Sequence, residues 1–288
     1  MAKAPTFDLQ SHSTCSDGAL PPRDVVAAAH AAGVELLALT DHDTVDGVDE
    51  ALEAAAACGL RLVPAAELSA IEGDREDLHI LGYVIDHRSP ALRDTLEAFR
   101  ADRDRRAHRM ADALREAGLE LEFPDRGGKP VGRPHLAQAA FEHPANRMRL
   151  AGEEIVNFSQ LLEAYLIPGK PAYRRRTTPT VGEAIEAIHA AGGVAVWAHP
   201  FWDVDADVEV LDLIDRFVER GLDGVEAFYI THSEHQTRLV ASHCAGRGLL
   251  ATGSADFHGP DHPHFHTFRA FELYGLEPYL GPIRSGAH

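Results

Sequence analysis

The sequence predicts an α/β fold, a barrel or a doubly wound sheet, that is interrupted by a helical insertion. Short apolar runs alternate with helix-like patterns along most of the 288 residues. These runs are nearly continuous in apolar residues, which is typical of parallel strands that helices cover on their outer side. Between residues 87 and 176 the alternation stops, and long, charged helix patterns replace it. The chain is long enough for one large domain with such an insertion.

Four strands and two helices are predicted before the insertion. Both helices end in a glycine, and prolines stand near the start of the first one. The predicted strands are residues 7–10, 34–41, 60–68 and 77–85, and the predicted helices are residues 21–33 and 48–59.

The alternation resumes after the insertion with three helices, each followed by a strand. The helices are residues 180–193, 207–221 and 233–248, and the strands are residues 194–200, 224–229 and 249–256. Residues 1–86 and 177–288 are therefore expected to form the α/β body, and residues 87–176 the insertion. Within the insertion, the patterns predict a long helix over 91–118 and shorter helices over 134–141 and 158–166.

The charge distribution limits the partners that the protein can have. A formal net charge of −18 argues against binding of duplex DNA through a general basic surface. The charge is uneven, because residues 88–176 carry 17 Lys and Arg against 13 Asp and Glu, whereas the remainder carries 10 against 32. A mildly basic insertion on an acidic body would attract a small, highly charged anion.

The cysteines and the apolar runs indicate the compartment. Cys15, Cys58 and Cys244 form no pair motif, which favours a reducing environment. No apolar run reaches the roughly 18 residues that span a bilayer, and the first ten residues lack the apolar core of a signal peptide. We expect a cytoplasmic protein without membrane association, and nothing in the sequence implies an obligate protein partner.

Polar residues recur at nearly every predicted strand end, and the chain contains 18 histidines. Because the C-terminal ends of parallel strands gather at one face of a barrel, these side chains are expected to converge there. Imidazoles with carboxylates and no thiolates suit Mn²⁺, Fe²⁺ or Zn²⁺. The candidates are Gln10, His12, Asp41, His42, Glu67, His79, His199, Glu226, Asp256 and His258.

Each of these residues alone has a structural alternative. A single histidine at a strand end is more often structural than a metal ligand. Asp17, Asp41 and Asp43 belong to a residue type that commonly caps helices or closes turns, and capping is favoured for Asp43 and Asp46. The prediction of a metal site therefore depends on the joint pattern.

An ordered set of short motifs resembles the polymerase and histidinol phosphatase (PHP) family. The set consists of DLQSHSTCSDG, LTDHDT, AAELS, DLHILGY, WAHP and SADFHG, which occur in that order over nearly the whole chain. The motifs GRPHLAQAAF and PAYRRR in the insertion resemble the subgroup that hydrolyses nucleotide phosphates. That subgroup includes 3′,5′-nucleoside bisphosphate phosphatases and a 5′-to-3′ exoribonuclease that acts on short RNA.

The resemblance implies a distorted seven-stranded (β/α) barrel with two or three divalent metal ions at its mouth. The implied ligands are Gln10, His12, Glu67 and Asp256 for the first ion, Glu67, His79 and His199 for the second, and Asp17, His42 and His258 for the third. The usual first motif of the family is His-x-His, from which Gln10 departs. We therefore expect the first ion to bind more weakly than the other two, or to be absent.

The resemblance also assigns substrate residues in the insertion. Arg133 and His135 would bind the substrate phosphate and take part in catalysis, because a guanidinium holds phosphate with a bidentate fork and an imidazole can donate a proton. The arginine run 174–176, and Arg174 and Arg175 in particular, could bind a second phosphate. The same run is equally compatible with solvated charge at a domain junction.

The expected activity is hydrolysis of small phosphorylated nucleotides by a hydroxide that the ions activate. The expected substrates are nucleoside 3′,5′-bisphosphates, nucleoside monophosphates or the 5′ ends of short RNA. Three alternatives stay open. They are a histidinol-phosphate or phosphosugar phosphatase on the same fold, a nucleotide-binding module weakened in catalysis by Gln10, and a proofreading domain that serves a polymerase on another chain.

Overall fold

The structure is a computed structural model that describes residues 4–127, 131–202 and 204–288. Contacts divide the chain into two compact units, one made of Met1–Glu97 with Pro179–His288 and the other of Ala98–Thr178. The second unit begins later than the insertion drawn from the sequence, because the long helix Pro90–Glu116 starts within the first unit.

The first unit contains a seven-stranded sheet whose strands are neighbours in chain order. The strands are β1 (Phe7–Asp8), β2 (Leu36–Leu39), β3 (Arg61–Glu72), β4 (Arg75–Tyr83), β5 (Val194–Trp197), β6 (Gly224–Tyr229) and β7 (Leu250–Ser254). The helices along the chain are α1 (Pro22–Ala31), α2 (Val48–Cys58), α3 (Pro90–Glu116), α4 (Arg133–Glu142), α5 (Arg147–Gly152), α6 (Phe158–Tyr165), α7 (Val181–Ala190), α8 (Asp207–Val218), α9 (Glu234–Arg247) and α10 (Pro282–Ser285).

The sheet is parallel except at β4. Strands β1 to β3 pair in parallel, as do β5 to β7, whereas β4 is antiparallel to both β3 and β5. The prediction of a parallel sheet is therefore wrong at this strand. Only residues 73 and 74 separate β3 from β4, and a parallel connection needs a crossover of a dozen or more residues.

The two ends of the sheet approach each other, so that it forms a nearly closed barrel. The Leu9 amide donates to the Gly253 carbonyl at 3.2 Å, and the His12 amide donates to the Phe257 carbonyl at 2.8 Å. Ser11 and Phe257 form a parallel bridge just beyond the ends of β1 and β7. This closure brings the residues that follow the first strand next to those that follow the last, as the predicted barrel requires.

The helices that flank the strands form where apolar residues recur at helical spacing. In α1, Val25, Val26 and Ala29 are buried in one cluster that also contains Leu37 of β2. Helix α2 ends at Gly59, whose φ of 77° is the left-handed conformation that glycine adopts without strain.

Helix α2 begins without a carboxylate cap. Gly47 occupies its N-cap position, so neither Asp43 nor Asp46 caps it, and the capping prediction is wrong for both. Asp43 instead accepts a hydrogen bond from the Ser69 amide at 2.9 Å and thereby joins the loop after β2 to β3.

The second unit is helical and has its own apolar core. Helix α3 runs into it, and α4, a single 3-10 turn, α5 and α6 follow. Met110, Leu114, Leu136 and Leu161 are buried together in that core. Asn146 joins two of its segments, because its side chain accepts from the Glu120 amide at 2.9 Å and donates to the Ala140 carbonyl at 2.6 Å. Within the described residues, no helix combines the length and apolar character needed to cross a membrane.

Candidate metal centre

Eight of the predicted side chains come together at one end of the barrel, Asp17 among them. His12, His42, His199, Asp256 and His258 follow the ends of parallel strands, as the sequence predicts. His79 lies inside β4, where it pairs with Ser69 of β3, and Glu67 lies two residues before Ser69. Residues directly opposite each other in an antiparallel pair share a face, so His79 points towards the same side as Glu67.

Two of these residues hold strained backbone conformations. His199 has a φ of 29° and Asp256 a φ of 54°, values that non-glycine residues adopt at a cost of about 1–3 kcal/mol. The His199 amide donates to Glu226 Oε2 at 2.9 Å, which stabilises the strained turn after β5. Such strain at strand ends is typical of residues whose direction matters for function.

Glu67 lies at the centre of the cluster and is fully buried. Its Oε1 atom lies 2.8 Å from His79 Nδ1 and 3.4 Å from His199 Nε2. Its Oε2 atom lies 3.1 Å from His12 Nε2 and 3.7 Å from His42 Nδ1. Burial by itself would raise the pKa of Glu67, but the imidazoles of His42 and His79 outweigh it and hold the pKa well below its usual value. This carboxylate is therefore ionised and faces four imidazoles.

His12 lies between two carboxylates. Its Nε2 atom is 3.1 Å from Glu67 Oε2 and 3.1 Å from Asp256 Oδ1. Tyr229 donates its hydroxyl to Asp256 Oδ2 at 2.8 Å, so this bond leaves Oδ1 for the side of His12. Burial would lower the pKa of His12, yet the close contacts with Asp256 and Glu67 and the negative charges of these carboxylates raise it well above its ordinary value.

Asp17 gathers a second set of imidazoles on the solvent side of the cluster. Its carboxylate oxygens lie 3.6 Å from His12 Nδ1, from His42 Nε2 and from His258 Nε2. Burial would raise the pKa of Asp17, but His42, His12 and His258 together lower it. His12 and His42 thus each present one ring nitrogen to Glu67 and the other to Asp17.

The side chains offer nitrogen and oxygen atoms that could ligate a metal ion, and these are the donor atoms of the site. They form three donor groups, and within each group all donor atoms lie within 4.8 Å of one another. The groups are His12, Glu67 and Asp256; His42, Glu67 and His79; and His12, Asp17, His42 and His258. Several buried donor atoms of the cluster have no hydrogen-bond partner within the described parts of the chain: His12 Nε2, His42 Nδ1, His199 Nδ1 and Asp256 Oδ1. Buried polar atoms are normally satisfied, so these residues fit divalent ions with nitrogen and oxygen ligands.

Gln10 lies beside this centre and takes part in its hydrogen bonds. It is fully buried, and its Nε2 atom donates to Glu67 Oε2 at 2.9 Å. The Ser254 hydroxyl donates to Glu226 Oε1 at 2.6 Å, and its oxygen lies 3.4 Å from Gln10 Oε1. Burial raises the pKa of the neighbouring Glu226 carboxyl to about 8. Because its amide donates to Glu67, Gln10 acts as a hydrogen-bond donor that positions this carboxylate.

Asp41 organises the loop that carries His12 and Asp17. Its Oδ1 atom accepts from the Ser13 amide at 2.7 Å and from the Ser16 hydroxyl at 2.6 Å, and its Oδ2 atom accepts from the Ser13 hydroxyl at 2.6 Å. Asp41 is thus a structural support for the metal centre and lies in none of the three donor groups.

We expect Asp41→Ala to lower the free energy of unfolding by about 3 kcal/mol, because it leaves several buried donors without an acceptor. Urea denaturation followed by circular dichroism measures this. The matched control is Asp24→Ala, since Asp24 is an exposed carboxylate in the first turn of α1. Equal midpoints for the two variants would show that Asp41 does not hold the loop.

The sequence predictions did not include the aromatic residues beside the donors. A pocket of about 120 Å³ is lined by donor residues together with Trp202, Tyr229 and Phe265. The motif HPFW, in which two aromatic residues follow His199 and Pro200, was the sequence feature that could have identified Trp202. Phe265 lies in the histidine-rich loop after β7, where the sequence offered no periodic pattern to interpret.

The predicted substrate residues Arg133 and His135 lie in the second unit, in the first turn of α4. His135 Nδ1 accepts from the Gly132 amide at 3.0 Å, so the neutral ring carries its proton on Nε2. Burial, followed by the nearby charge of Arg126, lowers the pKa of His135 and favours this neutral form. A helix N-terminus with a guanidinium and an N–H donor is chemically suited to bind an anion.

Arg174 and Arg175 lie in the segment after α6, also in the second unit. Arg174 Nη1 donates to the Pro171 and Tyr173 carbonyls at 3.1 and 2.9 Å, so this guanidinium is partly engaged by its own loop. Arg175 is exposed and Arg176 is buried, with its Nε donating to the Thr178 carbonyl at 3.1 Å. The side chains of the arginine run 174–176 therefore have different surroundings.

Comparisons with known proteins agree with this arrangement. A sequence profile described as PHP domain matches residues 8–125. The chain is 34% identical to a 5′-3′ exoribonuclease of Haemophilus influenzae over 88% of this chain and 90% of the relative. It is also 34% identical to a 3′,5′-nucleoside bisphosphate phosphatase of Chromobacterium violaceum, over 88% and 87% of the two chains.

A solved structure has the same fold over its whole length. An amidohydrolase from Chromobacterium violaceum, with sulfate bound and no metal, superimposes with a TM-score of 0.77 and 31% sequence identity. The superposition covers 99% of this chain and 98% of that one. The barrel, the cluster of histidines and carboxylates and this similarity over most of the chain lead to one conclusion. The chain belongs to the PHP domain family and is a hydrolase.

Proposed function

We propose that the protein is a metal-dependent phosphoesterase that hydrolyses phosphate monoesters of small nucleotides, nucleoside 3′,5′-bisphosphates in particular. The observation that carries this proposal is the cluster of histidines and carboxylates around Glu67 with its buried, unpartnered donor atoms. The similarity to a 3′,5′-nucleoside bisphosphate phosphatase over most of the chain supports the nucleotide class. The low number of cysteines and their unpaired state agree with a cytoplasmic location.

The proposed chemistry uses the three donor groups to hold two or three ions, with Mn²⁺, Fe²⁺ or Zn²⁺ as candidates. Divalent ions in such a site lower the pKa of water and neutralise charge on a phosphoryl group. Glu67 belongs to two of the donor groups, so it would keep two ions close together. His79 and His199 both adjoin Glu67 Oε1 and would complete the ligand set there.

We assign Arg133 and His135 to the binding of substrate phosphate. Arg133 can grip two phosphate oxygens with its planar fork, and His135 can donate from Nε2 because its Nδ1 is occupied by the Gly132 amide. The neutral ring would use this N–H to donate a hydrogen bond to a phosphoryl or leaving oxygen, since transfer of the proton would leave an imidazolate. Arg175 is the exposed candidate for a second phosphate.

The decisive measurement is phosphate release from a panel of esters with added Mn²⁺. The panel comprises adenosine 3′,5′-bisphosphate, adenosine 5′-monophosphate, 5′-phosphorylated short RNA and histidinol phosphate. We expect the nucleotides to be hydrolysed fastest. Absence of release from every ester would overturn the proposal, and fastest release from histidinol phosphate would move it to a different substrate class.

Hydrolysis at the 5′ ends of short RNA is a second candidate activity, because a 5′-3′ exoribonuclease is equally similar to this chain. The two candidates differ in products, since an exoribonuclease releases nucleoside monophosphates whereas a phosphatase leaves the RNA chain intact. Chromatography of a labelled four-residue RNA after incubation distinguishes them. Duplex DNA is not among the proposed substrates, given the net charge of −18.

We further propose that the ion nearest Gln10 binds most weakly. Replacement of Gln10 by histidine should raise the affinity of the weakest Mn²⁺ at least roughly tenfold, because it supplies an imidazole ligand beside Glu67 and Asp256. Calorimetric titration of the metal-free protein measures the number and affinity of the ions. Gln10→Met keeps the side-chain volume without the amide and should bring no such gain. Equal binding curves for wild type and Gln10→His would contradict the proposal.

A further inference from the structure

Three aromatic side chains line the pocket at the metal centre together with the imidazoles and carboxylates. They are Trp202, Tyr229 and Phe265. Tyr229 and Phe265 are 3% and 7% exposed, whereas Trp202 is 53% exposed. A large apolar side chain half open to solvent beside a polar pocket is an unusual placement, because tryptophan is highly buried on average.

The Trp202 ring is held in place by its neighbours. Its backbone amide donates to the His199 carbonyl at 2.8 Å, which ties it to the turn that carries a candidate ligand. Its ring centroid lies 5.7 Å from that of Phe265 with an interplanar angle of 54°, and 6.4 Å from that of His199. Phe265 is itself stacked on His262 at 5.0 Å. The indole thus contacts two neighbouring rings, while about half of the residue stays exposed.

The tilt between Trp202 and Phe265 favours stacking on one face of the indole over insertion between the two rings. A flat ring that fits into a gap between aromatic side chains needs them nearly parallel. The exposed part of Trp202 remains for a planar partner, and the residue lines the same pocket as His258 and Asp256. A ligand whose phosphate is held at the ions could therefore place a ring there.

We propose that Trp202 is a stacking platform for the nucleobase of the substrate, and that Phe265 orients the Trp202 ring. This inference rests on the proposed function and identifies how the site would distinguish nucleotides from other phosphate esters. Stacking tolerates any base, because every base has a π face. The platform therefore predicts preference for nucleotides over sugar phosphates without a strong choice among the four bases.

The test compares two esters that differ only in the base, adenosine 5′-monophosphate and ribose 5-phosphate. Trp202→Ala should raise KM for the nucleotide roughly tenfold. The KM for ribose 5-phosphate should stay within about twofold of the wild-type value. Trp202→Phe should restore most of the lost affinity for the nucleotide. Tyr279→Ala removes an aromatic ring that is 56% exposed but lies outside this pocket, and should change neither. Equal losses on both esters, or no loss on the nucleotide, would overturn the proposal.

Tryptophan fluorescence gives a readout that does not require hydrolysis. The chain has two tryptophans, and Trp197 is 1% exposed in the core, so a stacked base should quench mainly Trp202. Saturable quenching by adenosine 5′-monophosphate that Trp202→Phe abolishes and ribose 5-phosphate does not cause would support the platform. If such quenching occurred without phosphate release, the platform would stand and the proposed function would fail. Absence of quenching in the wild type would overturn the platform itself.

Discussion

Replacement of Glu67 by glutamine should lower kcat/KM for phosphate release by at least roughly 1,000-fold, which corresponds to about 4 kcal/mol of transition-state stabilisation. Glu67 belongs to two of the three donor groups and is surrounded by His12, His42, His79 and His199 at 2.8–3.7 Å. A neutral amide keeps the volume but removes the negative charge that two ions would share. Both the bound ions and the activity should therefore be lost together.

The measurement pairs phosphate release with elemental analysis of bound metal. Glu72→Gln is the matched control, since Glu72 lies at the end of the same strand and outside the three donor groups, where it pairs with Arg216 and Arg220. The control should keep full metal content and activity, because this ion pair includes none of the candidate ligands. A Glu67→Gln protein that is folded by circular dichroism, fully loaded with metal and active would exclude Glu67 as a shared ligand.

Replacement of Arg133 by alanine should lower kcat/KM for adenosine 3′,5′-bisphosphate by roughly 10- to 100-fold. The estimate follows from the loss of charge-assisted hydrogen bonds to phosphate, which contribute about 1.5–3 kcal/mol. Arg133→Lys should recover only part of the loss, because an ammonium does not reproduce the bidentate fork. Metal content should stay at the wild-type level, which separates this effect from that of Glu67.

Arg147→Ala is the control for the charge of the insertion. Arg147 is exposed at the start of α5 in the same unit and belongs to no predicted substrate motif. If the two alanine variants lost activity to the same small degree, general electrostatic attraction would explain the effect. If Arg133→Ala had no effect, the phosphate-binding assignment would be wrong.

Much of the fold followed from pattern alone. Apolar runs such as residues 34–39 and 60–68 mark strands because both faces are buried, and the helical spacing of Val25, Val26 and Ala29 marks α1. Strand ends were less certain, since β1 has only two residues in regular pairing although its hydrogen bonding continues at Leu9. Element boundaries depend on contacts with distant segments, which local patterns do not record.

The direction of β4 illustrates why a sequence pattern was insufficient. An apolar strand looks the same in either direction, and the short connection at residues 73 and 74 was hidden because β3 extends to Glu72, beyond its apolar core. His79 reaches the centre only because β4 is reversed, which places the start of that strand at the same barrel end as the ends of its neighbours. The residue was predicted for the site, but the reason for its position was not.

By itself, the sequence identified the candidate ligands, because imidazole and carboxylate residues recur at the ends of strands in an order that a nearly closed barrel brings together. Only the tertiary structure decided which atoms face each other. It placed Glu67 among four imidazoles, made Gln10 a hydrogen-bond donor to that carboxylate, and brought Trp202 into the lining of the same pocket. These relations depend on strand register and on contacts between segments as far as 57 and 132 residues apart, and distances of this kind exist only once the chain has folded.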